Sequence, residues 1–369
     1  MIDLDHNATT PLDPRVREAM LGALDAGNPS STHSRGRAAR ELLDGARREA
    51  ARALGCEPAE VVFTASGSEA NALALAGIFA ARHGVSPRVL LSAVEHPSVR
   101  ETAKKLRGAE LVELPVDASG RMRLEDLERE LAKGAAVCAA MWANNETGAV
   151  QPVDEIARLT RAAGVPFLCD AVQAAGKLPL GKVLERAEMV TLAAHKFHGP
   201  QGAGLLAVQR GLSLAPLVGG HQERGRRGGT ENVAAAVGLA RALTLATLDE
   251  SPRIAALRDQ FEHGVQRAFS DVRIHACDAP RIGNTSSVLF PGVDGEALLI
   301  ALDLHGVCAS LGAACASGAL SPSHVLLAMG LSPEHARSSL RFSFGRENTD
   351  DEVDRVLALL TELVSRARR

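Results

Sequence analysis

Five polar groups recur in this sequence directly after short apolar runs. They are Ser66-Gly67-Ser68 after VVFTA, Glu95-His96 after VLLSAV, Asn144-Asn145-Glu146 after CAAMWA, Asp170 with Gln173 after VPFLC, and His195-Lys196 after MVTLAA. Each residue type brings its own chemistry. A lysine ending a buried run either snorkels to water or stays desolvated with a lowered pKa, the state in which an amine forms a Schiff base. A carboxylate such as Asp170 can pair with a pyridinium nitrogen or cap a helix. Gly67 lets the backbone approach a ligand, and a helix N-terminus beside Ser68 offers free N–H groups to a phosphate. The alternative there is an ordinary N-cap by Ser68. Neither this stretch nor GPQGAG at 199–204 matches a nucleotide fingerprint, and the latter precedes a strand. His96 is either a structural residue before Pro97 or a ring-stacking acid/base. The chain has no tyrosine that could take that place.

Lysine, aspartate and a phosphate cup on one sheet edge make pyridoxal phosphate the leading cofactor. A further candidate is Cys315, in SLGAACASGALSP, where small and turn-forming residues predict a loop. Cys138 and Cys169 sit in apolar runs and read as small buried hydrophobes.

The elements that must position these groups follow from periodicity. Apolar residues at Ala38, Leu42, Ala46, Ala50 and Leu54, with Ala39 and Leu43 beside them, predict an amphipathic helix over 35–54. Thereafter apolar runs alternate with helical patterns through 61–77, 88–106, 135–159 and 165–178, and 189–208 carries two runs around a polar turn. That alternation predicts an α/β fold with a mostly parallel sheet and helices on both faces, whose ligands gather at the carboxyl ends of the strands. A helical stretch from Glu231 to about Phe269 is interrupted near Ser251-Pro252, and strands are expected at 271–276 and 285–290 with a helix around Glu296–Leu304. The changed rhythm predicts a smaller α+β domain. The expected division is 1–15, packing on the small domain, 16–250 as the large domain, and 251–369 as the small domain carrying the cysteine loop.

Composition removes other classes. Over 369 residues, 41 lysines and arginines face 44 aspartates and glutamates, so direct binding of nucleic acid is not expected. Ala135–Ala143 is about half the length that a membrane-spanning helix needs. MIDLDHNATTPLDP lacks the features of a signal peptide, and the six cysteines contain no C-x-x-C. The expectation is a soluble cytoplasmic protein without a metal site.

Taken together, the residues resemble the cysteine desulfurases of the NifS/IscS type, in the class V aminotransferase group of fold-type I pyridoxal phosphate enzymes. The matching segments include LDHNATTPLDPRV, GNPSSTHSRG, FTASGSEAN, SAVEHPSV, NNETGAVQPV, CDAVQAAGKLP, AHKFHGPQGAG, GGHQERGRRGGTENV, GAACASGALSPSHVL and SSLRFSFGR. The resemblance implies that Lys196 carries the cofactor, that Asp170 partners its ring nitrogen and that Gln173 contacts its ring hydroxyl. It implies His96 as stacking acid/base, able to deprotonate the substrate thiol or the nucleophile, with Asn145 beside cofactor and substrate. Gly67, Ser68 and His195 would bind the phosphate, joined by Thr230 from the second subunit of a homodimer. Arg341 would clamp the substrate carboxylate, a task its forked donors suit. Cys315 would accept sulfur from L-cysteine as a persulfide, leaving L-alanine. Neighbouring activities on this scaffold are selenocysteine lyase and aminotransferase.

Two departures stand out. Position 193, where the family usually places a phosphate-binding serine, is Ala193. The chain ends at SRARR, without the longer tail with which family members often dock an iron–sulfur scaffold. The sulfur acceptor, such a scaffold or a tRNA-thiolation protein, is therefore not named by the resemblance. Without the family, Arg224, Arg226 and Arg227 read equally as a solvated charge cluster.

Overall fold

The computed structural model describes residues 1–312 and 321–368. The chain enters through a two-residue strand, β1 (Ile2–Asp3), followed by helices Pro14–Leu21 and Ser34–Leu54. The second of these covers the stretch whose alanine and leucine spacing predicts it. Its buried face is Ala39, Leu43, Ala46, Ala50 and Leu54, and left-handed Gly55 (φ 64°) ends it.

Seven strands then build the central sheet: β2 (Val61–Thr64), β3 (Arg88–Ser92), β4 (Glu110–Leu114), β5 (Val137–Met141), β6 (Phe167–Asp170), β7 (Met189–Ala193) and β8 (Gly204–Val208). Their order is β2-β8-β7-β6-β5-β3-β4. β4, β3, β5, β6 and β7 run parallel, whereas β8 is antiparallel to both neighbours. The reason is the short link from β7 to β8. A parallel crossover needs about a dozen residues or more, usually a helix, and this turn holds none. β4 is a strand that the apolar pattern misses. As an edge strand it keeps most of ELVEL partly or fully exposed, so it carries two glutamates and little apolar signal.

Helices cover both faces, which is why the inner strands read as unbroken apolar runs. In β6, Phe167 and Cys169 point into one layer with Leu43, Leu54, Ile156 and Leu239. Leu168 points into the other, with Leu73, Leu75, Ile78 and Val99. Each such fully buried side chain contributes about 1.5–3 kcal/mol. Where β8 begins, a Cβ on Gly204 would lie 2.3 Å from the Ser66 carbonyl. Glycine thus lets the sheet pack flush against the turn after β2.

Two helices follow, Val233–Leu245 and Ser251–Ala268. The break precedes Ser251, and Pro252 sits in the first turn of the second helix, where its missing N–H costs no bond. Strands β9 (Arg273–Ile274), β10 (Thr285–Leu289), β11 (Val307–Cys308) and β12 (Ser339–Ser343) complete the chain's sheets, before a final helix Asp350–Ala367. β12, β10 and β9 form an antiparallel sheet, and β1 pairs parallel with β11. β9 is shorter than the 271–276 run suggests because Ala276 is left-handed (φ 56°) and turns the chain away. Ile2 and Leu4 join Leu257, Phe261, Phe290, Phe342, Phe344 and Leu360 in a second apolar core. The ring of Phe261 lies 4.7 Å from Phe342 and 5.6 Å from Phe344. Among the described residues no helix is long and apolar enough to cross a membrane.

Candidate active site

A cavity of about 280 Å³ opens at the carboxyl ends of β2, β3, β5, β6 and β7. It brings together Gly67, Ser68, His96, Asn145, Asp170, Gln173, His195 and Lys196. Those residues span 130 positions of sequence and meet because parallel strands present their ends to one edge.

At one end lies the start of the helix Gly67–Arg82. Its N-cap is Ser66, not Ser68: the Ser66 hydroxyl accepts the Glu69 N–H at 3.0 Å. The N–H groups of Gly67 and Ser68, in the first turn, have no intrahelical acceptor and suit an anion. A Cβ on Gly67 would come within 3.0 Å of both Ala193 Cβ and Val172 Cγ2. The start of this helix therefore packs directly against the Ala193 methyl group.

Lys196 ends the short turn Ala194–Lys196 that follows β7. Its Nζ donates to the carbonyls of Asn7 and Ala8, both at 2.7 Å. Burial, with Arg341 adding to it, brings the amine down to about 8, close to the neutral form that nucleophilic attack requires. Burial and Lys196 bring His195 down to about 4, so its ring is neutral at physiological pH. Asp170, 5% exposed, accepts from Asn71 Nδ2 at 2.8 Å and from the Val172 N–H at 3.0 Å. No helix starts there, so the helix-cap alternative falls away. His96 has the structural role weighed for it and also faces the cavity. It caps the helix Pro97–Lys104 through Nδ1 while lining the cavity, and burial lowers its pKa, with Asp170 opposing and Lys196 adding.

Several site residues carry no signal in the apolar pattern. Asn7 is the foremost: its carbonyl accepts from Lys196 and from Gln173 Nε2, and its amide donates to the Asn145 carbonyl and Thr285 Oγ1. It lies in LDHNATT, with only a two-residue strand before it. Lys177 donates to Gln173 Oε1 at 2.7 Å and is brought down to about 7, first by burial and then by Lys196 and Arg341. Arg341 stands behind Asn145 rather than in the cavity wall. It donates to the Asn145 carbonyl at 2.9 Å and to Asp5 at 2.6 Å, while its buried Nε has no partner among the described residues. Asp5 thus shows the kind of ligand this guanidinium takes, a carboxylate.

Like Arg341, Thr230 is not part of the cavity wall. Thr230 is exposed and lines a separate depression with Phe63, Gly204 and Glu223. That tract is held by a buried pair, Arg47 and Glu223, bonded at 2.6 and 2.7 Å. Arg227 pairs with Glu69 and Arg226 reaches the Ala59 carbonyl, so two of the three clustered arginines are tied down. Cys315 lies outside the described residues. The other five cysteines are unpaired, with burial raising the thiols of Cys138 and Cys169 well above the usual range.

Glu95 gives a test of the buried electrostatics. It is fully buried, accepts the Met141 N–H at 2.6 Å, and burial with Asp170 nearby pushes its carboxyl up to about 8. A raised folded pKa contributes stability below the unfolded value of about 4.5 that is lost as pH rises through about 8. Glu95→Gln keeps an acceptor for Met141 and removes the titration. The Tm of the parent protein should therefore fall relative to the variant between pH 5 and 9, as measured by thermal melts. A constant difference across that range would refute the assignment.

The groups lining this cavity fit pyridoxal phosphate: a desolvated amine, a hydrogen-bonded carboxylate, a histidine ring, and free N–H groups at a helix start. Such a site on such a sheet defines a pyridoxal phosphate enzyme of fold type I, and the chain belongs to the aminotransferase class-V family, matched over residues 2–356. Among its relatives, cysteine desulfurase 2 of Trichormus variabilis is 41% identical over 375 aligned residues, covering 100% of this chain and 94% of the relative. A solved NifS-like protein superposes with a TM-score of 0.91 at 33% identity, covering 99% of both chains. A NifS-like protein from Rickettsia africae gives 0.90 at 33% identity with the same coverage.

Proposed function

We propose that this protein is a cysteine desulfurase, converting L-cysteine to L-alanine and transferring the sulfur to Cys315 as a persulfide. The observation that carries the reading is the convergence of Lys196, Asp170 and His96 on one cavity that starts at the Gly67–Arg82 helix. When bound, pyridoxal phosphate supplies an electron sink for charge that develops at the amino-acid α-carbon. Gly67, Ser68 and His195 would hold its phosphate, and Asp170 would pair with its ring nitrogen. The desolvated Lys196 Nζ takes up the α-proton and returns it. Arg341 binds the substrate carboxylate through its fork, and Asn145 lies between Arg341 and the cavity. The Cys315 thiolate attacks the substrate sulfur: an S–S bond forms as the substrate Cβ–S bond breaks, the electron pair stays with Cβ, and Cβ takes up a proton, leaving alanine and a Cys315 persulfide.

A homodimer is part of this proposal. Exposed Thr230 lies near Leu217 and Val218 in sequence, both half exposed, and a second subunit's cavity would receive it. The cytoplasm suits the enzyme because its reducing conditions keep Cys315 available as a thiol. An acceptor protein, an iron–sulfur scaffold or a tRNA-thiolation protein, then removes the sulfur.

Product analysis tests the activity. Purified enzyme with L-cysteine and a reductant should release alanine and sulfide in equal amounts. Alanine from selenocysteine alone would make it a selenocysteine lyase, and a keto acid in place of alanine would make it a transaminase.

A further inference from the structure

The hydrogen bonds around His96 fix more than the position of its ring. Asp170, as a carboxylate, can only accept, so the atom of Asn71 that faces its Oδ2 at 2.8 Å must be the amide nitrogen. The Asn71 carbonyl oxygen then accepts from Thr191 Oγ1 at 2.6 Å, and the second amide hydrogen goes to Ser98 Oγ at 3.0 Å. Every hydrogen-bonding group of this side chain, 1% exposed, is thereby committed. Because Ser98 Oγ accepts from Asn71, its own proton is free to go to His96 Nδ1, 2.8 Å away. The Ser98 backbone N–H points at the same nitrogen at 3.1 Å. The backbone N–H is a fixed donor, so a proton on Nδ1 would collide with it, and the Ser98 hydroxyl can donate to the bare nitrogen as well. A neutral imidazole carries one proton, and it must sit on Nε2.

We propose that Asn71 and Ser98 are positioning residues that hold His96 as the Nε2–H tautomer, so that the ring enters turnover as a proton donor and not as a base. The proposal rests on the reading of this cavity as the cofactor and substrate site. Its chain of command starts at Asp170: the carboxylate that partners the ring nitrogen also orients Asn71, Asn71 orients Ser98, and Ser98 sets the proton of His96. His96 becomes a base only after giving up its Nε2 proton. The proton of an incoming substrate thiol must therefore first go elsewhere. Burial, with Lys196 adding to it and Asp170 opposing, keeps the ring from holding a second proton.

The test is nitrogen NMR of the holoenzyme labelled with ¹⁵N-histidine, with His96→Gln used to assign the signal among the 12 histidines. At neutral pH, His96 Nδ1 should appear in the unprotonated range and Nε2 in the protonated range. Ser98→Ala should move Nδ1 toward a mixed-tautomer value and lower kcat about tenfold, a fraction of the 10²–10⁴ that acid–base catalysis contributes. KM and the visible absorption of the bound cofactor should stay unchanged, and Ser98→Thr should restore both signal and kcat. A protonated Nδ1 in the parent enzyme overturns the proposal, as does a Ser98→Ala enzyme with unaltered tautomer and kcat. Parent protein that takes up no pyridoxal phosphate would instead refute the reading of the site, and the nitrogen shifts would still decide the tautomer.

Discussion

Cys315→Ala should stop sulfide release from L-cysteine while leaving the protein yellow with bound pyridoxal phosphate. The physical reason is a separation of tasks. The groups proposed to hold the cofactor, Gly67, Ser68, Asp170, His195 and Lys196, line one cavity at the end of the large sheet. Cofactor uptake and substrate binding should therefore survive. Sulfur transfer needs a thiolate beside the substrate, and none of the five described cysteines lines the cavity. Cys138 and Cys169 are buried with strongly raised pKa values, and burial with Glu60 and Glu57 nearby pushes Cys56 up to about 12. Thiolate character governs sulfur nucleophilicity, so these thiols are inert at neutral pH. Turnover should fall at least about 10³-fold, a loss of about 4 kcal/mol of transition-state stabilisation. Sulfide assays and the visible spectrum of one preparation check both halves. Unchanged turnover would sink the persulfide mechanism.

Lys196→Ala should abolish the visible band of lysine-bound cofactor and lower turnover by about 10³-fold or more. Lys196 has two jobs in the proposed reaction: it carries the cofactor and it moves the α-proton. The structure shows why a nearby amine does not substitute. Lys177 is also desolvated, yet it donates to Gln173 and does not line the cavity. The Asn7 and Ala8 carbonyls would in addition lose the donor that holds the N-terminal segment against the site. Absorbance of the reconstituted variant and its alanine yield are the measurements. A retained visible band would mean that another amine carries the cofactor.

Much of this site is legible in the chain because parallel sheets encode it locally. An apolar run followed at once by a polar residue marks the carboxyl end of a buried strand. Asp170 after VPFLC and Lys196 two residues after Leu192-Ala193-Ala194 both obey that rule. The methyl group of Ala193 beside Gly67 is likewise a one-residue fact. What the pattern hides is any contact whose partners share no element. Asp5 meets Arg341 across 336 positions, and Asn7 reaches Gln173 across 166. The weakly apolar edge strand β4 escaped for a related reason, and so did the early end of the expected strand β9, since edge exposure and one left-handed residue leave little periodic trace.

The sequence alone determined the types of groups at the strand ends, and with them the cofactor, because strand periodicity and residue chemistry act within a few positions. It also set Cys315 apart from the cysteines in apolar runs. Only the tertiary structure decided that Ser66 and not Ser68 caps the helix Gly67–Arg82, that Asn7 and Asp5 of the N-terminal segment meet Lys196 and Arg341, and that Thr230 lines a depression apart from the cavity. It alone joined Asp170 to His96 through Asn71 and Ser98. Those links depend on which side chains three strand-end turns bring within 3 Å, and no local period records that distance.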